Sequence, residues 1–308
     1  MVDFAGRDII SVKDFTKEEL TYPFVLTREF KKRVQAHEGL DLLKGYVLCS
    51  LFYEPSTRTR LSFESAMQRL GGAVLTVAEA KRTTSAAKGE SLADAVRVME
   101  KYADVILLRH PEVGAAQVAA DAASVPVING GDGAGEHAPQ TFSELFTINE
   151  EKGTIDGLEI TLMGDLKHAR VMRSLAMGLS RFDVKLNLVS PESLRMDPEI
   201  VSMFDKGKVV ELTNLDDVLP TTDLLYLCRI QKERFASEEE YEALRGSYRV
   251  DNSVLSKAKK EITIMHPLPR MDELDPEVDS HPGAAYFRQV ADLLYNRMAL
   301  LALLLGRA

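Results

Sequence analysis

The sequence predicts an α/β protein made of two doubly wound parallel-sheet domains with a cleft between them, and three observations carry that prediction. Short apolar runs alternate with amphipathic helical stretches along most of the chain, which is the β-α-β order that builds parallel sheets. The alternation stops at a turn-rich stretch, residues 153–157, and then restarts. The length, 308 residues, suits two domains that each bury a core of their own.

The elements follow in order. Thr16 and Glu19 are spaced as a capping box that opens a helix running toward Ala36. Pro23 predicts a kink or break in it, because a proline inside a helix costs about 3 kcal/mol. Residues 46–53 form an apolar run read as a buried strand, and Phe63, Ala66, Met67 and Leu70 then fall at helical spacing. A strand over 73–77 leads to a polar loop, 81–89, and to a helix with Leu92, Ala95, Val96 and Met99 on one face. A strand over 105–108 ends at Arg109-His110-Pro111, and a helix covers about 113–122. A strand over 125–128 leads into Asn129-Gly130-Gly131-Asp132-Gly133, and a helix from about 140 to 151 follows.

After the break, a strand over 159–163 ends in Gly164-Asp165, followed by a helix over 169–182 and a strand over 185–189. Weaker elements fill the region to 220. Strands over 224–228 and 261–265 end at Arg229 and at His266-Pro267-Leu268-Pro269-Arg270, and the last helix runs from about 285 to 305.

Composition excludes several classes. A net charge of −9 argues against non-specific nucleic-acid binding, which needs a basic face. It leaves room for a local basic pocket. Cys49 and Cys228 both sit in apolar runs, which reads as two buried, reduced thiols with no disulfide framework and no metal spacing. The N-terminus lacks the basic and apolar regions of a secretory signal. No run approaches the roughly 20 apolar residues that span a membrane. The expectation is a cytoplasmic protein with no membrane partner, no metal and no organic cofactor.

One cluster stands out: Ser56-Thr57-Arg58-Thr59-Arg60, between the first strand and its helix. A strand that turns directly into a helix leaves unpaired N–H groups at the helix start, where the dipole favours an anion. Ser56, Thr57 and Thr59 add hydroxyl donors and Arg58 a bidentate fork. That builds a phosphate site without a Gly-rich loop. The plainer alternative is an N-capped surface helix with solvated arginines. Order in the chain bears on the choice, because other anion-binding or carbonyl-polarising residues also follow strands: Arg109, His137, Lys167, Arg170, Arg229 and the run 266–270. Ligands of open α/β sheets bind beyond the carboxyl ends of the strands. These positions, some from each half, are therefore expected to converge on the cleft.

The string Phe52-Tyr53-Glu54-Pro55-Ser56-Thr57-Arg58-Thr59-Arg60 closely resembles the carbamoyl-phosphate signature of the aspartate and ornithine carbamoyltransferases. Arg109-His110-Pro111, and Gly131-Asp132-Gly133 with His137 and Gln140, resemble further motifs of that family. So do the loop ending Lys88-Gly89-Glu90, the run Gly164-Asp165-Leu166-Lys167-His168-Ala169-Arg170, the run Arg229-Ile230-Gln231-Lys232-Glu233-Arg234, and the run 266–270. The resemblance covers about residues 40–305.

It implies transfer of the carbamoyl group of carbamoyl phosphate to the amino group of L-aspartate, an early step of pyrimidine biosynthesis. Ser56, Thr57, Arg58, Thr59 and Lys88 would bind the phosphate. Thr59, Arg109 and His137 would be catalytic, stabilising the developing oxyanion, and Gln140 with the Pro267 and Leu268 carbonyls would orient the carbamoyl amide. Arg170, Arg229 and Gln231, with Lys88 and Leu268, would hold aspartate. Lys88 and a hydroxyl, Thr84 or Ser85, would reach into a neighbouring subunit's site, making a homotrimer. Residues 1–138 with a C-terminal helix over about 286–308 would form the carbamoyl-phosphate domain, and residues 139–285 the aspartate domain. The pair of guanidinium forks suits a dicarboxylate. The late loop lacks the Cys, and the Arg229 region the Ser-Met-Gly, of ornithine-using relatives.

The chain also departs from the family's usual pattern. His137-Ala138-Pro139-Gln140 replaces His-Pro-Thr-Gln, Ala169 replaces a glycine, Val171 and Cys228 replace threonines, and Asp292-Leu293 replaces Asn-Gly. These motivate two alternatives, a non-catalytic or low-activity carbamoyl-phosphate-binding relative and a carbamoyltransferase of other specificity. A dinucleotide-binding protein is disfavoured by the lack of Gly-x-Gly-x-x-Gly after the first strand.

Overall fold

The Thr16 hydroxyl oxygen accepts from the Glu19 N–H, and the Glu19 carboxylate accepts from the Thr16 N–H. This opens α1 (Lys17–Thr21), and Pro23 separates it from α2 (Phe24–Gln35), the break expected of an interior proline. The computed structural model describes residues 2–231, 237–245 and 248–308. The chain divides into two compact units, Met1–Phe146 with Val290–Ala308, and Thr147–Gln289.

The first unit is built on β1 (Val47–Phe52), β2 (Ala73–Val77), β3 (Val105–His110) and β4 (Val127–Asp132), all parallel in the order β2-β1-β3-β4. The crossovers are α3 (Arg58–Arg69), then α4 (Ala80–Thr83) with α5 (Leu92–Met99), and α6 (Ala115–Ala122). β1 and β3 are buried almost throughout and edge strand β2 is half-exposed, as a parallel sheet covered on both faces requires. The chain leaves β1 for one neighbour and returns to form the other. The switch point therefore lies between the carboxyl ends of β1 and β3, where Phe52 sits opposite Arg109.

Two local expectations differ from the structure. β4 starts later than the apolar run suggests and takes in the residues read as a turn, Asn129 to Asp132. Its other neighbour is the N-terminal segment: the Ile9 N–H donates to the Val127 carbonyl at 2.9 Å and Asn129 N–H to the Ile9 carbonyl at 2.9 Å. That partner is far away in sequence. The polar loop 81–89 is also structured, as the end of α4 and a 3₁₀ turn, Ser85–Lys88.

The second unit carries β5 (Glu159–Met163), β6 (Lys185–Val189), β7 (Val209–Leu212), β8 (Leu224–Leu227) and β9 (Thr263–Met265), parallel in the order β7-β6-β5-β8-β9. Its switch point lies between β5 and β8. The helices, in chain order, are α7 (Ala138–Lys152), α8 (Arg170–Leu179), α9 (Pro198–Val201), α10 (Glu238–Leu244), α11 (Asn252–Leu255) and α12 (Tyr286–Leu304). The division between the units falls within α7 and α12.

The C-terminal part of α12 belongs to the first unit. Lys31 Nζ is 2.9 Å from the buried Asp292 carboxylate, so the departure Asp292-Leu293 adds a paired carboxylate and a buried leucine. Cys49 and Cys228 are free and buried, and burial pushes Cys49 up to about 11 and Cys228 further. Both therefore stay protonated and inert. Among the described residues no helix is long and apolar enough to cross a membrane.

Candidate active site

The first unit gathers its candidate residues at the β1/β3 switch point. Thr57 precedes α3 in a helical conformation, φ −78° and ψ −56°, and its side chain makes no capping bond. An N-capped surface helix would have closed its own start with a side chain, and α3 does not. Arg58 opens the helix, half-buried, with Ser56 half-buried and Thr57 exposed beside it.

Thr59 is buried, and its hydroxyl lies 3.1 Å from His137 Nε2. The other ring nitrogen, Nδ1, lies 3.1 Å from the Asn129 carbonyl. A carbonyl only accepts, so Nδ1 carries a proton, and in the neutral ring Nε2 accepts from Thr59. The next carbonyl along β4, that of Gly130, accepts from Arg109 Nη1 at 3.1 Å, and Arg109 Nε is 3.6 Å from the Glu54 carboxylate. Consecutive carbonyls of β4 thus hold His137 and Arg109.

The turn before His137 is fixed from both sides. The Asp132 carboxylate accepts from Asn129 Nδ2, the Glu136 N–H and the Gly114 N–H. Glu136 accepts from the Ser11 hydroxyl at 2.7 Å and the Val12 N–H at 2.8 Å, and burial pushes its carboxyl up. The shifted proline does no damage. α7 starts at Ala138, so Pro139 stands in the first turn, where a missing N–H costs nothing. The Gln140 N–H still reaches the His137 carbonyl at 2.9 Å.

In the loop, the Thr84 hydroxyl donates to the Ala80 carbonyl at 2.7 Å and accepts from the Ala86 N–H at 3.2 Å. Ser85 and Lys88 are exposed.

The second unit presents its set at the β5/β8 switch point. Asp165, fully buried after β5, accepts from the His168 N–H at 2.9 Å, faces His168 Nδ1 at 3.2 Å and accepts from the Gln231 N–H at 3.4 Å. One carboxylate therefore ties the turn that delivers Arg170 to the segment that carries Arg229 and Gln231. Both arginines and Gln231 are half-buried. Ala169 has φ −76° and ψ 94°, a conformation any residue adopts, so its methyl costs no backbone strain. Lys232, Glu233 and Arg234 lie outside the described residues.

The sequence reading counts the run 266–270 among anion-binding or carbonyl-polarising residues and expects the Pro267 and Leu268 carbonyls to orient the carbamoyl amide; the structure divides the run. His266 is buried; its Nε2 donates to Glu273 at 2.8 Å and its Nδ1 accepts from the Leu268 N–H at 2.8 Å. Burial raises the Glu273 carboxyl, but the His266 bond and the Met271 N–H outweigh it and hold it below the usual range. Arg270 grips the Asp279 carboxylate, with Nη2 to Oδ2 at 2.8 Å. These side chains are used internally. What the loop offers is Pro267 and Leu268, both half-buried, with Leu268 held at φ 53°. Leucine seldom populates that region, and the His266 clasp maintains it.

Sequence reasoning gave no role to Asp165, Glu273 or Arg297. Asp165 had a local signal, an aspartate three residues before His168 at a strand end; Glu273 lies seven residues from its partner His266, and Arg297 acts through partners more than 150 residues away.

Two family models match the chain: the aspartate/ornithine carbamoyltransferase carbamoyl-P binding domain over residues 7–150 and the Asp/Orn binding domain over residues 156–304. The aspartate carbamoyltransferase catalytic subunit of Thermococcus onnurineus is 51% identical over 307 residues, 99% of each chain. The multifunctional protein CAD of Squalus acanthias is 51% identical over 306 residues, 99% of this chain and 14% of that protein. Among solved structures, aspartate transcarbamoylase from Trypanosoma cruzi in complex with N-(phosphonacetyl)-L-aspartic acid has a TM-score of 0.92 and 37% identity, covering 98% of this chain and 97% of that one. The catalytic subunit of M. Jannaschii aspartate transcarbamoylase has a TM-score of 0.88 and 45% identity, covering 96% of each.

Proposed function

We propose that this chain, which belongs to the aspartate/ornithine carbamoyltransferase family, joins carbamoyl phosphate and L-aspartate to give N-carbamoyl-L-aspartate and phosphate in pyrimidine synthesis. The observation that carries the reading is the Thr59–His137 contact beside Arg109 at the first switch point. The amino nitrogen of aspartate attacks the carbamoyl carbon, the bond from that carbon to the phosphate oxygen breaks, and the nitrogen loses a proton. No covalent enzyme intermediate is needed.

Charge develops on the carbamoyl oxygen and the leaving phosphate. Thr59 and Arg109 meet the former, and a preorganised donor of this kind is worth about 3–4 kcal/mol. The Thr59 hydroxyl has a single proton: with a neutral His137 ring it is given to Nε2, and with both ring nitrogens protonated it is free for the oxyanion, to which His137 then donates as well. Ser56, Thr57, Arg58 and Lys88 hold the phosphate. Gln140 and the Pro267 and Leu268 carbonyls orient the amide, and Arg170, Arg229 and Gln231 clamp aspartate, assisted by Lys88 and Leu268. Two guanidinium forks in the second unit support aspartate over ornithine. The solved relatives with N-(phosphonacetyl)-L-aspartic acid, and with carbamoyl phosphate and aspartate, support the same pair of ligands.

Calorimetry with phosphonoacetyl-aspartate, beside a carbamoyl-aspartate assay on the same sample, tests the reading. Tight binding with turnover is expected. Absence of binding removes the aspartate assignment, and tight binding without turnover makes the chain a non-catalytic relative.

The functional unit is a cytoplasmic homotrimer in which Ser85 or Thr84, with Lys88, completes a neighbour's site. The exposure of Ser85 and Lys88 supports this. Mixing inactive Lys88→Ala and Arg58→Ala chains is then expected to restore activity, since some sites receive both intact residues. Mixed oligomers that stay silent would rule out sharing.

A further inference from the structure

The first unit holds a buried cation that the reaction scheme does not use. Arg297, on α12, has no exposed surface. Its Nη1 donates to the Pro139 carbonyl at 2.6 Å and to the Ser143 hydroxyl, and its Nη2 donates to Gln140 Oε1 at 3.0 Å. The guanidinium stacks 4.9 Å from the centre of the Phe63 ring. Burial pulls it down to about 9, with Glu144 acting the other way, so it remains a cation at neutral pH. The opposite end of the same carboxamide, Gln140 Nε2, donates to the buried Glu144 carboxylate at 3.1 Å.

These two partners remove the usual ambiguity of an amide. A guanidinium cannot accept and a carboxylate cannot donate, so the Gln140 oxygen must face Arg297 and its nitrogen Glu144. A flipped amide would set two donors against each other and leave a buried carboxylate without its bond. The Gln140 oxygen keeps a second lone pair, polarised by the adjacent cation. It is the right acceptor for an N–H of a carbamoyl group and the wrong neighbour for a methyl group.

We propose that Arg297 is a positioning residue that sets the enzyme's choice of carbamoyl over acetyl, by locking the Gln140 carboxamide with its oxygen available to the carbamoyl N–H. This rests on the carbamoyl-transfer reading above. A purely architectural role, stapling α12 to the first turn of α7, is the competing account, and it makes no statement about the ligand's amide.

The test compares carbamoyl phosphate as substrate with acetyl phosphate, which carries a methyl where the carbamoyl group carries its amine, as a competing ligand. The readout is the ratio of the acetyl phosphate inhibition constant to the carbamoyl phosphate KM, at saturating aspartate. Losing the lock is expected to shrink that ratio about ten-fold in Arg297→Met, the size of one hydrogen bond to a charged or strongly polarised group. Arg297→Lys keeps the buried charge but not the fork, and carries the test if the methionine variant does not fold; a several-fold loss is expected. Ser143→Ala removes one staple and leaves the Gln140 contact, so its ratio is expected to match the unsubstituted enzyme even if its melting temperature falls. Folded Arg297 variants that keep the original ratio overturn the proposal. An unsubstituted enzyme that does not turn over carbamoyl phosphate overturns the functional reading instead.

Discussion

Arg58→Ala is expected to weaken carbamoyl-phosphate binding and lower kcat/KM by about 100-fold to 1,000-fold, the effect of deleting a bidentate, charge-assisted phosphate contact in a preorganised site. Arg58 is the first residue of α3, which follows β1 closely and starts without a side-chain cap. The fold is expected to survive. Alanine is at least as good a helix former as arginine, and the buried face of α3 is supplied by Thr59, Phe63, Ala66 and Met67. Calorimetric titration with carbamoyl phosphate and a melting curve on the same sample separate the two quantities. Unchanged affinity would mean that the start of α3 is an ordinary surface helix end. A collapsed melting temperature would mean that Arg58 is structural.

How much of this was legible in the sequence depends on where each residue finds its partner. The strands Ala73–Val77, Glu159–Met163 and Lys185–Val189 coincide with the expected spans, because each is a short apolar run bounded by turn residues. The break at Pro23 and the capping box of Thr16 and Glu19 are equally local. β4 is displaced because its course depends on Ile9, more than a hundred residues earlier. His266 shows the same limit at the site: chemistry and position suggested a ligand contact, but Glu273 and the Leu268 N–H take both ring nitrogens. Motif spacing puts Thr59, Arg109 and His137 beyond their strands; Thr59 and His137 lie there, while Arg109 falls inside β3, paired with Phe52. That adjacent carbonyls of β4 hold Arg109 and His137 is a property of the folded sheet, and no window of sequence contains it.

Gly164→Ala is expected to be a severely damaging single-methyl change in the second unit, and it tests whether the β5/β8 junction builds the aspartate site. Gly164 has φ +119°, and a Cβ there would stand 2.2 Å from the Cys228 carbonyl oxygen. The obstacle is backbone, so no rotamer relieves it. The ends of β5 and β8 must separate, and they carry Asp165 and Arg170 on one side and Arg229 and Gln231 on the other. The Asp165 bond to the Gln231 N–H, already 3.4 Å, bridges that seam. A loss of about 3 kcal/mol or more is expected from strain and overpacking together, with the aspartate KM raised about ten-fold or more. Inorganic phosphate should bind with unchanged affinity, because the ligands proposed for it are in the first unit. Gly157→Ala is the matched control: Gly157 has φ +83° with no atom within 4 Å of an added Cβ, so only the backbone preference is lost, about 1 kcal/mol, and no selective effect on aspartate follows. If both variants raise the aspartate KM equally, the effect is general loosening of the unit and the junction has no special part in holding the substrate. If only Gly164→Ala does so, the close passage of β5 against the Cys228 carbonyl sets the spacing between the two arginines.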